Sequence, residues 1–325
     1  MFNKIIGGDF LKILTAVKEK YNKRETLWKE VKRNKVAYTY IAPFYILFAI
    51  FGLYPIVAGF YMSFFRWDGL RPMKLVGLRN YLRLLTDPLF WKALSNTAYI
   101  GLISHVFILL GGLILAYILN SKLVKYKNIF KTIYFLPMVT SAVAIAIVFQ
   151  ALFGTNSGLI NFVLQLLGYS KINWWGGDGS FVKIAIIVMF SWKWIGWNMV
   201  IYLAGMQGIN NDIYEAATID GANHRQVFLK ITLPLLKPIV LFTIIQSTIG
   251  TMNLFVEPFV LTGNLRGGTG NQGMTVMMYL LNKAPYGNNF YGIASTVAYI
   301  ICFIVIIVSI INMKLFKEND SKGVR

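Results

Sequence analysis

The sequence predicts an all-α membrane protein with six transmembrane helices and both termini in the cytoplasm. Three observations carry that expectation. Of 325 residues, 56% are hydrophobic and only 14% charged, with a mean hydropathy of +0.57, too little charge to cover a water-soluble domain of this length. The apolar residues fall in long continuous blocks, without the alternation of a transmembrane barrel. Lysine and arginine, finally, favour one set of the segments between those blocks.

A helix needs roughly 20 mostly apolar residues to cross the hydrocarbon layer. Six segments reach that length, at 37–65, 95–119, 132–153, 184–206, 239–262 and 290–313. The expected organisation is a basic cytoplasmic tail (1–36), a transmembrane domain (37–313) with a long inner loop at 207–238, and a short cytoplasmic tail (314–325). In the first tail, Leu14, Val17, Tyr21, Trp28 and Val31 stand at helical spacing among lysines. From Phe10 to Lys35 that pattern suits a basic amphipathic helix on the anionic inner leaflet, or equally a solvated tail. No small-residue cleavage site follows the first apolar block, so a retained span is expected.

Between Thr132 and Ser170 there is no charged residue, but Gly154, Asn156, Ser157 and Gly158 interrupt the run. The apolar piece Leu159–Leu167 is then expected at the outer surface. Orientation follows from counting. With both termini inside, segments 1–36, 120–131, 207–238 and 314–325 hold 10, 4, 3 and 4 basic residues, while outer loops 66–92, 154–183 and 263–289 hold 6, 2 and 2.

The net charge of +19 lies in the tail and the span flanks, with no nucleic-acid module around it. The single cysteine, Cys302, sits in an apolar block, which excludes a disulfide framework and a cysteine metal site. Two histidines, His105 and His224, are far apart and outside any His-Glu-x-x-His arrangement, and Gly-x-Ser-x-Gly is absent. His105 is expected to pack with a hydrogen bond, and His224 to lie on a loop surface. No catalytic or metal-ligating set is expected.

The inner loop has its own grammar: Glu215-Ala216-Ala217-Thr218-Ile219-Asp220-Gly221-Ala222, then Phe228, Ile231, Leu233-Pro234 and Pro238. Asp212 is positioned to cap a helix whose third residue is Glu215. Gly221 permits a sharp reversal into a second short helix, which Pro234 is expected to end. The loop reads as a compact helix–turn–helix.

Glu-Ala-Ala, three residues, then Gly, followed by Ile-x-Leu-Pro, resembles the cytoplasmic loop of ATP-binding-cassette importer permeases. Further segments resemble the carbohydrate-importing branch of that family, the maltose, lactose and multiple-sugar systems. They are Val76-Gly77-Leu78-Arg79-Asn80-Tyr81, Asp87-Pro88-Leu89-Phe90-Trp91, Asn96-Thr97, Phe135-Leu136-Pro137, Gly158-Leu159-Ile160-Asn161, Trp192-Lys193-Trp194 and Leu261-Thr262-Gly263. The resemblance runs from Ala42 to Met313, and departs from the maltose member in lacking its very large outer-loop domain.

The resemblance implies a permease subunit of the bacterial inner membrane that couples a sugar path to cytoplasmic ATPases. Glu215, Ala216, Ala217, Asp220 and Gly221 are the matching coupling-helix positions. Expected partners are a second homologous permease, two ATPase subunits and an external sugar-binding protein. The chain itself carries no cofactor, since Gly-x-x-x-x-Gly-Lys-Ser/Thr is absent and ATP and Mg would belong to the ATPases. Gly268-Thr269-Gly270-Asn271-Gln272-Gly273 fits Gly-x-Gly-x-x-Gly but follows no predicted strand, and reads as a flexible connection. The rival readings are a membrane-embedded enzyme and an ion-coupled secondary transporter. The latter calls for inverted repeats or several buried carboxylates, and only Glu257 lies within a predicted span.

A charge at mid-span costs roughly 2.5–3.5 kcal/mol on the insertion scale, so Lys193 and Glu257 should face a cavity or a partner. Trp194, Trp197 and Asn198 of the fourth span and Ser247, Thr251 and Asn253 of the fifth join them. Aromatic faces, amides and hydroxyls suit a sugar path, and the corresponding spans line the site in the maltose member. The same residue types also serve helix packing, and Lys193 also suits snorkelling.

Overall fold

The computed structural model describes residues 29–121, 124–176, 179–283 and 291–322, without the side chains of Ser180 and 315–322. Most of the Phe10–Lys35 amphipathic segment lies outside the described residues. Contacts divide the chain into two units, Met1–Tyr61 and Met62–Arg325.

The first unit holds the body of α1 (Lys35–Ser63), whose last two residues belong to the second. No residue from Lys35 to Leu53 is buried, and the helix is apolar all round, as a lipid-facing span requires. Its turn widens to a π-helix over Ala49–Leu53, with Tyr54 N–H donating to the Ala49 carbonyl. Pro55 explains this. A proline ring clashes with the carbonyl four residues back, here Phe51, and the π-turn moves that carbonyl aside.

The second unit begins with a small antiparallel hairpin, β1 (Phe65–Arg66) and β2 (Lys74–Leu75), pairing Phe65 with Leu75 and Arg66 with Lys74. After the short α2 (Arg79–Leu85) comes α3 (Pro88–Asn120). Asp87 accepts from Leu89 N–H at 2.8 Å and Pro88 opens the helix, so the second span starts earlier than the expected residue 95. The third span is broken: α4 (Lys127–Val139) and α5 (Ala142–Leu152) meet at 95°. Pro137 lies in the last turn of α4, and Thr140 after it is extended. The apolar piece after Gly158 forms the short α6 (Leu159–Leu166).

Then follow α7 (Ser180–Gln207), α8 (Asn211–Ile219), α9 (His224–Leu235), α10 (Lys237–Met252), α11 (Val256–Thr262), α12 (Val276–Lys283) and α13 (Tyr291–Lys322). Among the described residues, helices α1, α3, α7 and α13 are each long and apolar enough to cross a membrane, and the candidate spans number up to six if each of the bent pairs α4–α5 and α9–α10 is one span. The expected span 239–262 is not one helix. It ends at Met252, and Asn253–Phe255 leave helical geometry before α11. The freed backbone is held locally: Asn253 Nδ2 donates to the Ile249 carbonyl, and Thr275 Oγ1 to that of Leu254 at 2.6 Å.

The second unit is organised around α3 and α7, which run parallel. Lys183 lies over the Tyr99 ring near their starts, Gly112 abuts Asn198 and Met199 midway, and Ala116 and Leu119 pack with Tyr202 and Leu203 near their ends. Lipid gives no hydrophobic drive for helices to associate, so close packing at small residues must do so. A methyl on Gly112 would sit 2.9 Å from Asn198 Cβ, and one on Gly196 of α7 would overlap the Tyr134 carbonyl of α4. Apolar clusters follow the bundle. Leu84, Phe90, Met274 and Tyr279 fill the end near the start of α3; Ile108, Phe149, Ile186 and Leu261 fill the middle; Tyr202, Met206 and Leu236 fill the end near α8–α9.

Several polar residues of the family-like segments act as struts. Asn96 Nδ2 donates to the carbonyls of Asn271 and Met274, and Thr97 Oγ1 accepts from Val276 N–H, joining α3 to the start of α12. Asn161 bonds to both the N–H and the carbonyl of Ile172. The Gly268–Gly273 stretch is a connection with a single 3-10 turn at Thr269–Asn271.

Candidate functional site

The loop between α7 and α10 folds into two short helices around Gly221. The cap of α8 is Asn210 and not Asp212: Asn210 is extended, and its Oδ1 accepts from Asp212 N–H at 3.1 Å. Asp212 is already helical, which makes Glu215 the fifth residue of α8 instead of the third. Gly221 adopts φ +76°, as the expected reversal requires. Gly221 N–H bonds to the Thr218 carbonyl and Ala222 N–H to that of Ala217, a Schellman closure that occupies the last carbonyls of α8.

Asn223 and Gln226 then form a reciprocal capping box that opens α9. The Asn-x-x-Gln spacing at 223–226 is the local signal of this cap. Pro234 does not end this helix. A π-turn at Phe228–Thr232 absorbs it, as Ala49–Leu53 absorbs Pro55, and the chain bends by 64° only at Leu236.

Glu215, Ala216, Asp220 and Gly221 are exposed, whereas Ala217 is buried against its own chain. Ile219, not singled out from sequence, is the most open apolar residue here, at 86% exposure. The hairpin is tied down at two points. Tyr214 and Thr232 share a hydroxyl hydrogen bond of 3.2 Å, and Phe228 packs on Tyr117 of α3 with ring centroids 4.6 Å apart.

Of the residues expected on a path, Lys193 and Glu257 meet directly and the others pack on different neighbours. Lys193 Nζ donates to Glu257 Oε1 at 2.7 Å with both residues 8% exposed, so Lys193 does not snorkel and Glu257 has its partner within the chain. Glu257 stands in the first turn of α11, where the helix dipole favours a carboxylate, and Pro258 in that turn removes no helical hydrogen bond. Trp197 stacks on Phe135 of α4 at 6.2 Å, and Trp194 lies 6.0 Å from Phe190. Asn198 abuts Gly112, and the Thr251 methyl meets Gly101, placing both against α3. Thr251 also donates to the Ser247 carbonyl, Ser247 is half-buried, and Asn253 is exposed. Two cavities, of about 480 and 510 Å³, are lined by none of these eight residues.

Ser104 and Ser191, not expected on the path, extend Trp194, Trp197 and Asn198 into a polar stripe on α3 and α7. The buried Ser104 Oγ, Ser191 Oγ, Asn198 Oδ1, His105 Nε2 and the Nε1 atoms of Trp194 and Trp197 have no hydrogen-bond partner among the described residues. His105 does make the expected packing bond, through Nδ1 to the Gly101 carbonyl at 2.6 Å. Isolated serines in an apolar block gave no signal of this alignment. It appears only when the Gly112–Asn198 contact sets Ser104 and His105 level with Ser191, two turns earlier.

The second unit is a membrane-type bundle of bent and broken spans with a helical hairpin tied down at one end. Residues 108–316 match the family described as binding-protein-dependent transport system inner membrane component, and the chain belongs to that family. It is a multi-pass inner-membrane protein. The arabinooligosaccharides transport system permease protein AraP of Bacillus subtilis (strain 168) is 37% identical, over 92% of this chain and 95% of that one. The lactose transport system permease protein LacF of Rhizobium radiobacter is 36% identical, over 86% and 93%. Among solved structures, a bacterial ABC transporter that imports the acidic polysaccharide alginate superposes with a TM-score of 0.76 at 23% identity, covering 90% of this chain and 98% of that one, a likeness of fold.

Proposed function

We propose that this chain is one of two membrane-spanning permease subunits of an ATP-driven importer of a sugar or oligosaccharide. The observation that carries this reading is near-full-length similarity to permeases described as arabinooligosaccharide and lactose transporters. In this reading each bent pair is one span, for six in all, and both termini lie in the cytoplasm, an orientation supported by the distribution of basic residues. The domain is then 37–313, between cytoplasmic tails 1–36 and 314–325.

With that orientation the α8–Gly221–α9 hairpin, within 207–238, faces the cytoplasm as the coupling element. Glu215, Ala216, Asp220 and Ile219 form the surface offered to an ATPase subunit, while Ala217 and Gly221 hold the shape of that surface. Movement of a docked ATPase is passed to α3 through the Phe228–Tyr117 contact. ATP and Mg bind to two ATPase subunits, and this chain hydrolyses nothing. A second homologous permease completes the path, and an external sugar-binding protein delivers the substrate.

The path runs along α7, α10 and α11, with Lys193, Trp194, Trp197, Asn198, Ser247, Thr251, Asn253 and Glu257 on or behind its wall. The unpartnered polar atoms of Ser104, Ser191 and Asn198 support this placement, because buried donors and acceptors without partners are costly unless a hydroxylated ligand or a neighbouring chain meets them. Reconstituting the chain with its partners in proteoliposomes tests the reading. Uptake of labelled arabinooligosaccharide or lactose should require both ATP and the binding protein, and uptake driven by an ion gradient without ATP would overturn it.

A further inference from the structure

The 510 Å³ cavity lies at the end of the bundle opposite the Glu215 hairpin, among β1, β2, α2 and the start of α13. Arg66, Arg79 and Arg83 line it together with Trp67, and no carboxylate does. Its floor is close-packed backbone. Buried Asn80 donates to the carbonyls of Ser63 at 2.8 Å and Phe65 at 2.9 Å, and a methyl on Gly292 would overlap the Phe65 carbonyl. The acids of the same loop are engaged elsewhere. Asp68 accepts from the N–H groups of Leu70 and Arg71, and Asp87 holds the Tyr279 hydroxyl at 2.6 Å and Lys283 at 3.4 Å.

A second observation identifies what belongs in this basic pocket. Leu78, the cap residue of α2, and Leu82 and Leu85 within it follow one another at helical spacing, all three are exposed, and Leu82 also borders the pocket. Arg79 and Arg83 stand one position beyond the first two. An apolar stripe beside a basic one is the pattern of a helix lying in the membrane interface, leucines among acyl chains and arginines toward headgroups. The depth agrees. Tyr291 opens the apolar span of α13, donates its N–H to the Trp67 carbonyl at 2.9 Å and packs its ring 5.3 Å from that of Trp67, and such aromatic pairs mark the headgroup level. Guanidinium forks match phosphate oxygens two at a time. With the orientation proposed above, these arginines also belong to the outer segment richest in basic residues, against the positive-inside bias.

We infer that this pocket holds the phosphate headgroup of an anionic phospholipid of the outer leaflet, with Leu78, Leu82 and Leu85 among its acyl chains. The test uses the full chain in detergent, offered phosphatidylglycerol or phosphatidylcholine, with retained lipid counted by native mass spectrometry. Wild-type protein should retain phosphatidylglycerol in preference, and the double variant R79Q/R83Q should lose that preference by about tenfold or more. R71Q removes an arginine of the same loop outside the pocket and should leave the preference intact. Equal retention of the two lipids by wild-type protein needs no variant and overturns the inference. So does an equal loss in R71Q, which would mark unspecific attraction. So too does a double variant that keeps its lipid preference but loses affinity for the external binding protein, which would assign the pocket to an acidic protein face.

Discussion

Lys193 and Glu257 form a buried ion pair of 2.7 Å that joins α7 to the first turn of α11, the separate helix that takes up the end of the expected fifth span. Removing one partner strands a charge away from water, which typically costs about 3–5 kcal/mol, whereas replacing both by apolar residues is often neutral. Glu257→Gln and Lys193→Met should therefore each lower the melting temperature of the purified complex sharply, and Lys193→Met/Glu257→Met should recover most of the loss. A double variant as unstable as the two single losses combined would show that the groups act independently. Transport kinetics on the stable double variant then read any contact with sugar apart from folding.

Gly221 illustrates a conformational demand without a steric one. At φ +76° a side chain is strained by about 1–2 kcal/mol, yet the space around its Cβ is open. Gly221→Val should abolish stimulation of ATPase activity by loaded binding protein, and Gly221→Asn, which tolerates this backbone region, should retain most of it. Ile219→Ser should leave melting unchanged and weaken association with the ATPase subunit, measured by co-purification. Unchanged coupling in Gly221→Val and unchanged association in Ile219→Ser would remove the hairpin from the docking interface.

Gly196 sets how closely α7 approaches α4. A methyl there would overlap the Tyr134 carbonyl, a backbone atom that cannot swing away, so Gly196→Ala should destabilise by about 1–3 kcal/mol. Gly250, with open space around it, is the control, and Gly250→Ala should leave the melting temperature near wild type.

Asp87 gives a pH dependence of known sign. Burial raises its pKa, but the Tyr279 hydroxyl, Leu89 N–H and Lys283 together hold it below the ordinary value of 3.8. Burial and the Asp87 carboxylate push the Tyr279 hydroxyl well above the usual tyrosine range. A depressed carboxyl stabilises the fold fully above its unfolded value and loses that contribution as the pH falls through the folded one. Melting of wild-type protein should thus drop more steeply below about pH 4 than that of Asp87→Asn, which keeps the cap without the charge. Parallel profiles would show that Asp87 contributes through its cap alone.

The sequence alone carried the membrane class, the apolar blocks and the reversal at Gly221. Each follows from free energies local to a few residues: transfer of side chains into lipid, and the backbone region open to glycine at low cost. Where local signals competed it misled, as with Asp212 for Asn210 as the cap, and Pro234 as a terminus when a π-turn absorbs it. Tertiary packing set Trp197 against α4 and both Asn198 and Thr251 against α3, broke the fifth span at Asn253, and brought Lys193 to Glu257 across 64 residues. These outcomes depend on how helices seat against one another, Gly112 on Asn198 and Gly196 on Tyr134. That register is a property of the packed bundle, since distant side chains interact only once the backbone has brought them into contact.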